Sequence, residues 1–170
     1  MRYVLLLRAV NLGPRNKLAM KDLKALLEDL GHGDVQTFLN SGNATFTSSS
    51  RSVTRLATAI EDGLRERLGL DVRACVRRDT DLQKALDELP ALDGYLVVNV
   101  LFDRPPAAAL QQVLDTDWSP EVVVGNDQVL YLAFSPAGVQ SSKLTNARLE
   151  KLLGVGCTAR TPATLRKLLA

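Results

Sequence analysis

Apolar residues come in short runs separated by stretches of helical spacing, and the two rhythms alternate along the chain. Tyr3-Val-Leu-Leu-Leu-Arg8 reads as a strand. A polar segment with Gly13 and Pro14 follows. Leu18, Leu23, Leu26, Leu27 and Leu30 then predict an amphipathic helix that Gly31 stops. Val35 to Leu39 and Ala44 to Thr47 predict a hairpin across Asn40-Ser41-Gly42-Asn43. Past Ser48-Ser49-Ser50, the positions Val53, Leu56, Ala57, Ile60, Leu64 and Leu68 predict a second helix ending at Gly69. Val72 to Val76 predicts a further strand. The order is βαββαβ, the ferredoxin-like arrangement.

Thr80-Asp-Leu-Gln83 has the pattern of a capping box and opens a connecting helix through Leu89, stopped by Pro90. The rhythm then begins again. Tyr95 to Phe102 predicts a strand, and Pro105-Pro106 starts a helix through Leu114. Glu121 to Val124 and Gln128 to Phe134 pair across Gly125-Asn126-Asp127. Ser141 to Leu153 predicts a helix and Gly156 to Ala159 a short strand. Thr161-Pro162 starts a terminal helix through Leu169. Tyr3-Val-Leu-Leu-Leu and Tyr95-Leu-Val-Val-Asn echo each other in position and type, and each half has a Gly-Asn hairpin. The expected fold is therefore α+β, with two ferredoxin-like βαββαβ halves packed together. Residues 1–78 form the first half. Residues 79–170 form the second, with the connecting and C-terminal helices, unless the two intertwine as one domain.

The faces of the strands add one inference. A βαββαβ unit covers one sheet face with helices, so a solvated second face makes strands alternate apolar and polar. The first strand is apolar on both sides, with Tyr3, Leu5 and Leu7 against Val4 and Leu6, and Tyr95 to Leu101 is nearly so. Cover for the open faces comes from each other or from a second chain.

Composition narrows the class. Of 170 residues, 46% are hydrophobic and 24% charged, which is ordinary globular material, and the formal net charge of +2 is small for a protein held mainly on nucleic acid. Arg8 interrupts the first apolar run, leaving it too short for a signal peptide or a membrane span. Cys75 and Cys157 stand alone and read as buried small hydrophobes, so a reducing cytoplasm is the expected setting.

Candidate chemistry gathers in two places. The loop after the first strand and the hairpin between the second and third emerge at the same sheet end. Arg8, Asn11, Arg15, Asn16 and Lys17 should therefore face Asn40, Ser41, Gly42 and Asn43. Guanidinium, ammonium and amide donors around a glycine turn suit a phosphate or carboxylate, and no acid lies between Arg8 and Lys17. Loop and turn chemistry explains the same residues without a ligand, apart from Arg8, whose charge ends a buried strand and needs a partner. The second cluster is Ser141-Ser142-Lys143-Leu144-Thr145-Asn146. Ser141 or Ser142 is placed to cap the helix, and Lys143 would stand against the helix dipole, where an anion would relieve it; a solvated lysine explains it equally well.

Other chemistry is thin. His32, the only histidine, lies between Gly31 and Gly33 and reads as a surface turn residue. Asp79 and Asp81 suit a helix start, and Asp115 and Asp117 around Trp118 lack further ligands. There is neither GxxxxGK[ST] nor a GxGxxG after a strand, and no metal or cofactor is expected.

The opening Tyr3-Val-x-Leu-Leu-Arg8-x-x-Asn11-x-Gly13, with Asn16-Lys17-x-x-Met20, Leu26-Leu27-x-x-Leu30-Gly31 and Ser41-Gly42-Asn43-x-x-Phe46, resembles the bacterial family known as domain of unknown function 1697. The resemblance continues in Ser142-Lys143-Leu144-Thr145-Asn146 and from Arg160 to Lys167-Leu168, so it spans the chain. It implies an α+β fold in two related halves and a small bacterial cytoplasmic protein, and it brings no activity, substrate or catalytic residue. The family commonly has Arg-Gly-(Ile/Val)-Asn-Val-Gly-Gly where this chain has Arg8-Ala9-Val10-Asn11-Leu12-Gly13-Pro14, and often Arg-Asn-Trp where it has Arg160-Thr161-Pro162. Two lost glycines stiffen the loop.

Three readings follow, in this order. The first is a binding module for a small anionic ligand or a phosphate-containing partner; a weaker case holds for nucleic acid, and none for a membrane. The second is an interaction protein working through its apolar sheet faces, as monomer or homodimer. The third is an enzyme using the same cleft, for which the sequence offers no convincing general base.

Overall fold

Five successive apolar side chains at positions 3–7 need cover on both faces of the sheet, and they fall on an inner strand. The computed structural model covers residues 1–170 and has two four-stranded antiparallel sheets and six α-helices. By its internal contacts the chain divides into two compact units, Met1–Gln83 with Leu168–Ala170, and Lys84–Lys167. No helix is long and apolar enough to cross a membrane.

The first unit holds β1 (Arg2–Leu7), α1 (Met20–Asp29), β2 (Gly33–Phe38), β3 (Asn43–Thr47), α2 (Val53–Leu68) and β4 (Ala74–Arg78). Its sheet order is β2-β3-β1-β4. Since β3 runs antiparallel to both β1 and β2, those two run the same way and end at the same edge. Tyr3, Leu5 and Leu7 join Phe46, Leu23, Leu27, Leu56, Ile60 and Leu64 in one buried core. The Tyr3 ring lies 5.6 Å from that of Phe46, and its hydroxyl donates to the Ser50 carbonyl at 2.6 Å. Val4 and Leu6, on the opposite face of β1, are also fully buried. The Arg2 guanidinium donates to the terminal carbonyls of Leu168, Leu169 and Ala170.

The second unit repeats the plan with β5 (Tyr95–Leu101), α4 (Ala107–Asp115), β6 (Val122–Gly125), β7 (Val129–Phe134), α5 (Asn146–Leu153) and β8 (Cys157–Arg160), in the order β6-β7-β5-β8. The echo between the halves is also one of register: Tyr3 pairs with Phe46, and Tyr95 with Phe134. Between the sheets in sequence lies α3 (Asp79–Asp87), and α6 (Pro162–Leu169) ends the chain, with Thr161 Oγ1 accepting from the Thr164 amide.

Four expectations need correcting. The strand placed at Val72 to Val76 is β4, two residues further on. The apolar pattern stops at Val76, but Arg77 and Arg78 continue the ladder opposite Val4 and Tyr3. Thr80 does not cap α3; the helix starts at Asp79, whose carboxylate accepts from the Thr80 amide. The helix predicted from Ser141 begins at Asn146, after a single 3-10 turn at Val139–Ser141, and Thr145 is its cap, accepting from the Arg148 amide at 3.2 Å. Ser142 Oγ instead accepts from the Leu144 amide, a local bond that competes with helix entry. Finally, His32 is half-buried rather than a plain surface turn residue. It stacks on Phe46 at 4.5 Å, and its Nε2 is buried without a hydrogen-bond partner.

Two predictions follow from this unit. Gly42 sits at φ +73°, and a β-carbon there would lie 2.7 Å from Leu7 Cβ and Val10 Cγ2. Gly42→Ala should therefore lose about 2–5 kcal/mol in urea unfolding, from left-handed strain and overpacking together. Gly31→Ala, at φ +84° with nothing within 4 Å, should lose only the backbone part, about 1–2 kcal/mol. Equal losses would show that the clash does not matter. Burial lowers the His32 pKa below its ordinary 6.5, so the unfolded chain takes up that proton first. Stability should hold above pH 6.5 and fall as the pH drops through the lowered folded-state value. His32→Phe keeps the stack and should flatten that slope in pH-dependent thermal melts.

Candidate functional site

In the first unit the loop after β1 and the β2–β3 hairpin meet as their shared edge requires, and a single side chain joins them. Asn11 Nδ2 donates to the Asn40 carbonyl at 2.7 Å and to the Leu18 carbonyl at 2.8 Å, while its Oδ1 accepts from the Leu18 amide at 2.9 Å. All three hydrogen-bonding valences named here are spent on the protein's own backbone. Asn11 and Asn16 both hold left-handed backbone, at φ +56° and +52°, and the Asn16 carbonyl accepts from the Asn11 amide. Asn43 is fully buried, and its Nδ2 donates to the Phe38 carbonyl and to Ser41 Oγ at 2.8 Å. Gly42 packs on Leu7 and Val10. The amide members of this rim thus build the loop rather than present donors. Arg8 is half-buried, with its backbone amide on the Arg73 carbonyl. Arg15 and Lys17 stand exposed.

Ser142, Lys143 and Asn146 belong to the second unit, where the stretch from Ala137 to Asn146 walls two separate clefts. The first, of about 460 Å³, takes Ser141, Ser142 and Lys143 on one side and Trp118, Glu121 and Arg148 on the other. Lys143 lies two residues before the cap of α5 and so, contrary to expectation, is not set against the helix dipole. Its side chain is exposed on the cleft wall. Arg148, in the first turn of α5, lays its guanidinium carbon 4.9 Å from the centroid of the Trp118 ring. The indole is fixed in turn by its Nε1, which donates to the Val113 carbonyl at 2.8 Å.

Asp117 and Glu121 also line this cleft, so its formal charge is balanced. The two signs are used differently. Glu121 is nearly buried and accepts from the Ser135 amide at 2.6 Å. Asp117 accepts from the Ser119 amide at 2.9 Å, and bonds from Ser119 hold its pKa below the ordinary carboxylate value. Neither Lys143 nor Arg148 forms an ion pair with a carboxylate.

The second cleft, of about 340 Å³, is mainly apolar and receives Asn146, whose Oδ1 accepts from Asn99 Nδ2 at 3.1 Å. Sequence reasoning missed Arg148 and Trp118. Trp118 is the only tryptophan, but nothing in the sequence ties it to a helix thirty positions on.

Comparison with known proteins bears on family and fold. The solved structure of the conserved bacterial protein SP0830 from Streptococcus pneumoniae is similar, with a TM-score of 0.75 at 24% sequence identity over 99% of this chain and 96% of that one. At that identity the likeness speaks for the fold alone. No curated protein matches the chain. A family model described as "Protein of unknown function (DUF1697)" matches residues 1–131, which takes in the first unit from Met1 to Gln83 and the second unit into β7. The chain belongs to the DUF1697 family.

Proposed function

We propose that the protein is a binding module for a small anionic ligand, such as a phosphate-bearing compound, held in the cleft between Trp118 and Lys143. The observation that carries this reading is the unequal use of charge there. The two acids are engaged by backbone amides of the 117–121 and 133–135 segments, while the two cations have no acidic partner. Arg148 is also held in one plane by the indole beneath it. A guanidinium kept flat in this way loses less freedom when it grips two oxygens of an oxyanion. Ser141 and Ser142 line the same wall.

The rim of the first unit supports the reading less well, because the amides of Asn11 and Asn43 are satisfied internally. Its exposed cations Arg15 and Lys17 serve as the internal control.

Thermal-shift and calorimetric titrations with inorganic phosphate, a nucleoside monophosphate and a short single-stranded oligonucleotide test the proposal. At least one should bind saturably, and Lys143→Ala and Arg148→Ala should each weaken it about ten- to a hundred-fold. The double variant Arg15→Ala/Lys17→Ala should bind as the parent does. Binding lost only in that double variant would move the site to the first unit, and no saturable binding by any of the three would end the proposal.

A further inference from the structure

Among the charged residues only Glu121 is buried, at 8% exposure, and one of its two carboxylate oxygens has no partner. It stands just before β6, in a turn closed by its own amide, which donates to the Trp118 carbonyl at 3.0 Å. Its Oε2 accepts from the Ser135 amide at 2.6 Å and so ties the start of β6 to the end of β7. No ion pair and no second hydrogen bond reaches Oε1. A carboxylate drawn out of water is costly unless its oxygens are satisfied, and one amide serves only one of them. The fully buried side-chain atoms without a partner are His32 Nε2 and Asn99 Oδ1. Oε1 of Glu121 therefore keeps an opening, and the space that Glu121 lines is the cleft with Lys143.

Opposite charges share that cleft without meeting. Arg148 is held over the Trp118 ring at 4.9 Å, and Glu121 is held by the Ser135 amide. Elsewhere the chain pairs such groups directly, Arg73 with Glu61 and Arg104 with Asp127. Here each sign has its own tether, and neither Arg148 nor Lys143 pairs with Glu121. A simple anion would be drawn to the two cations but would leave Oε1 unsatisfied. A simple amine would satisfy Oε1 and face the two cations. A molecule carrying both signs answers both demands.

Resting on the reading of this cleft as an anion site, we infer that its ligand is a small amine-bearing phosphate monoester. The phosphate lies between Lys143 and Arg148, and the ammonium donates to Glu121 Oε1. An ammonium suits that oxygen because it has three N–H donors and no acceptor. Asp117, exposed and already bonded to the Ser119 amide, stays with solvent.

Calorimetric titrations of the full chain with O-phosphoethanolamine and propyl phosphate, which differ only in ammonium against methyl, test the inference. Aminopropyl phosphate and butyl phosphate repeat the comparison with a longer spacer. At least one amine should bind about ten- to a hundred-fold more tightly than its alkyl counterpart. Glu121→Gln keeps an oxygen for the Ser135 amide and should bring that amine down to the alkyl level. The alkyl phosphate should bind this variant no more weakly than the parent, which reports an intact cleft. Asp117→Asn should keep the preference for the amine, and Lys143→Ala should weaken both members of the pair. Alkyl phosphates that bind and respond to Lys143→Ala, with no gain from the amine, would overturn this inference and leave the anion site standing. An amine preference that survives Glu121→Gln would also overturn it. No saturable binding by any of the four would overturn it as well, and with inorganic phosphate equally silent the anion site would fall too.

Discussion

One strand pairing antiparallel with two neighbours sets the geometry of each unit. Because β3 faces both β1 and β2, those strands share a direction, and their ends are brought together whatever the loops contain; β7 does the same for β5 and β6. The Asn11–Asn40 bond is a product of that constraint, since residues twenty-nine apart in sequence meet only where the two strands end. So is the close packing of the hairpin apex on Leu7 and Val10. A loop whose Asn11 side chain is held by backbone carbonyls on both sides is stiff, and Pro14 adds to that stiffness.

The same plan used twice has produced two different surfaces. In the first unit a sixteen-residue helix seals the aromatic pair. In the second, behind a shorter helix and the irregular stretch before it, Tyr95 is exposed while Phe134 stays buried. That stretch also lines the cleft with Lys143, so the candidate site depends on the segment where the repeat breaks down. Chemistry concentrates where the chain departs from its own pattern, because a connection free of helical packing can take on polar side chains without disturbing the core.

Much of the fold was legible because its signals were local. The limits of α2 follow from Val53, Leu56, Ile60 and Leu64 at helical spacing, closed by Gly69, with Ser52 as the cap. The hairpin at Asn40 to Asn43 and the terminal helix after Thr161 were equally plain. The start of α5 was not. Ser141, Ser142 and Thr145 are all competent caps, and the choice fell to Thr145 because Ser142 bonds two residues ahead. The Asn11 amide looked like a ligand donor for a related reason. Its partners come from Leu18 and Asn40, and no rule of spacing discloses a bond to a distant carbonyl. The contact between Trp118 and Arg148 was hidden in the same way, by a separation that only the tertiary fold closes.

The chain has one tryptophan, and a cation rests on its face. Indole emission responds to charge near the ring, so the protein carries its own optical reporter at a known place, free of overlap from any second indole. All of its indole emission would come from a single ring on a single cleft. Whatever draws the guanidinium away from that ring would change the colour or brightness of the whole molecule.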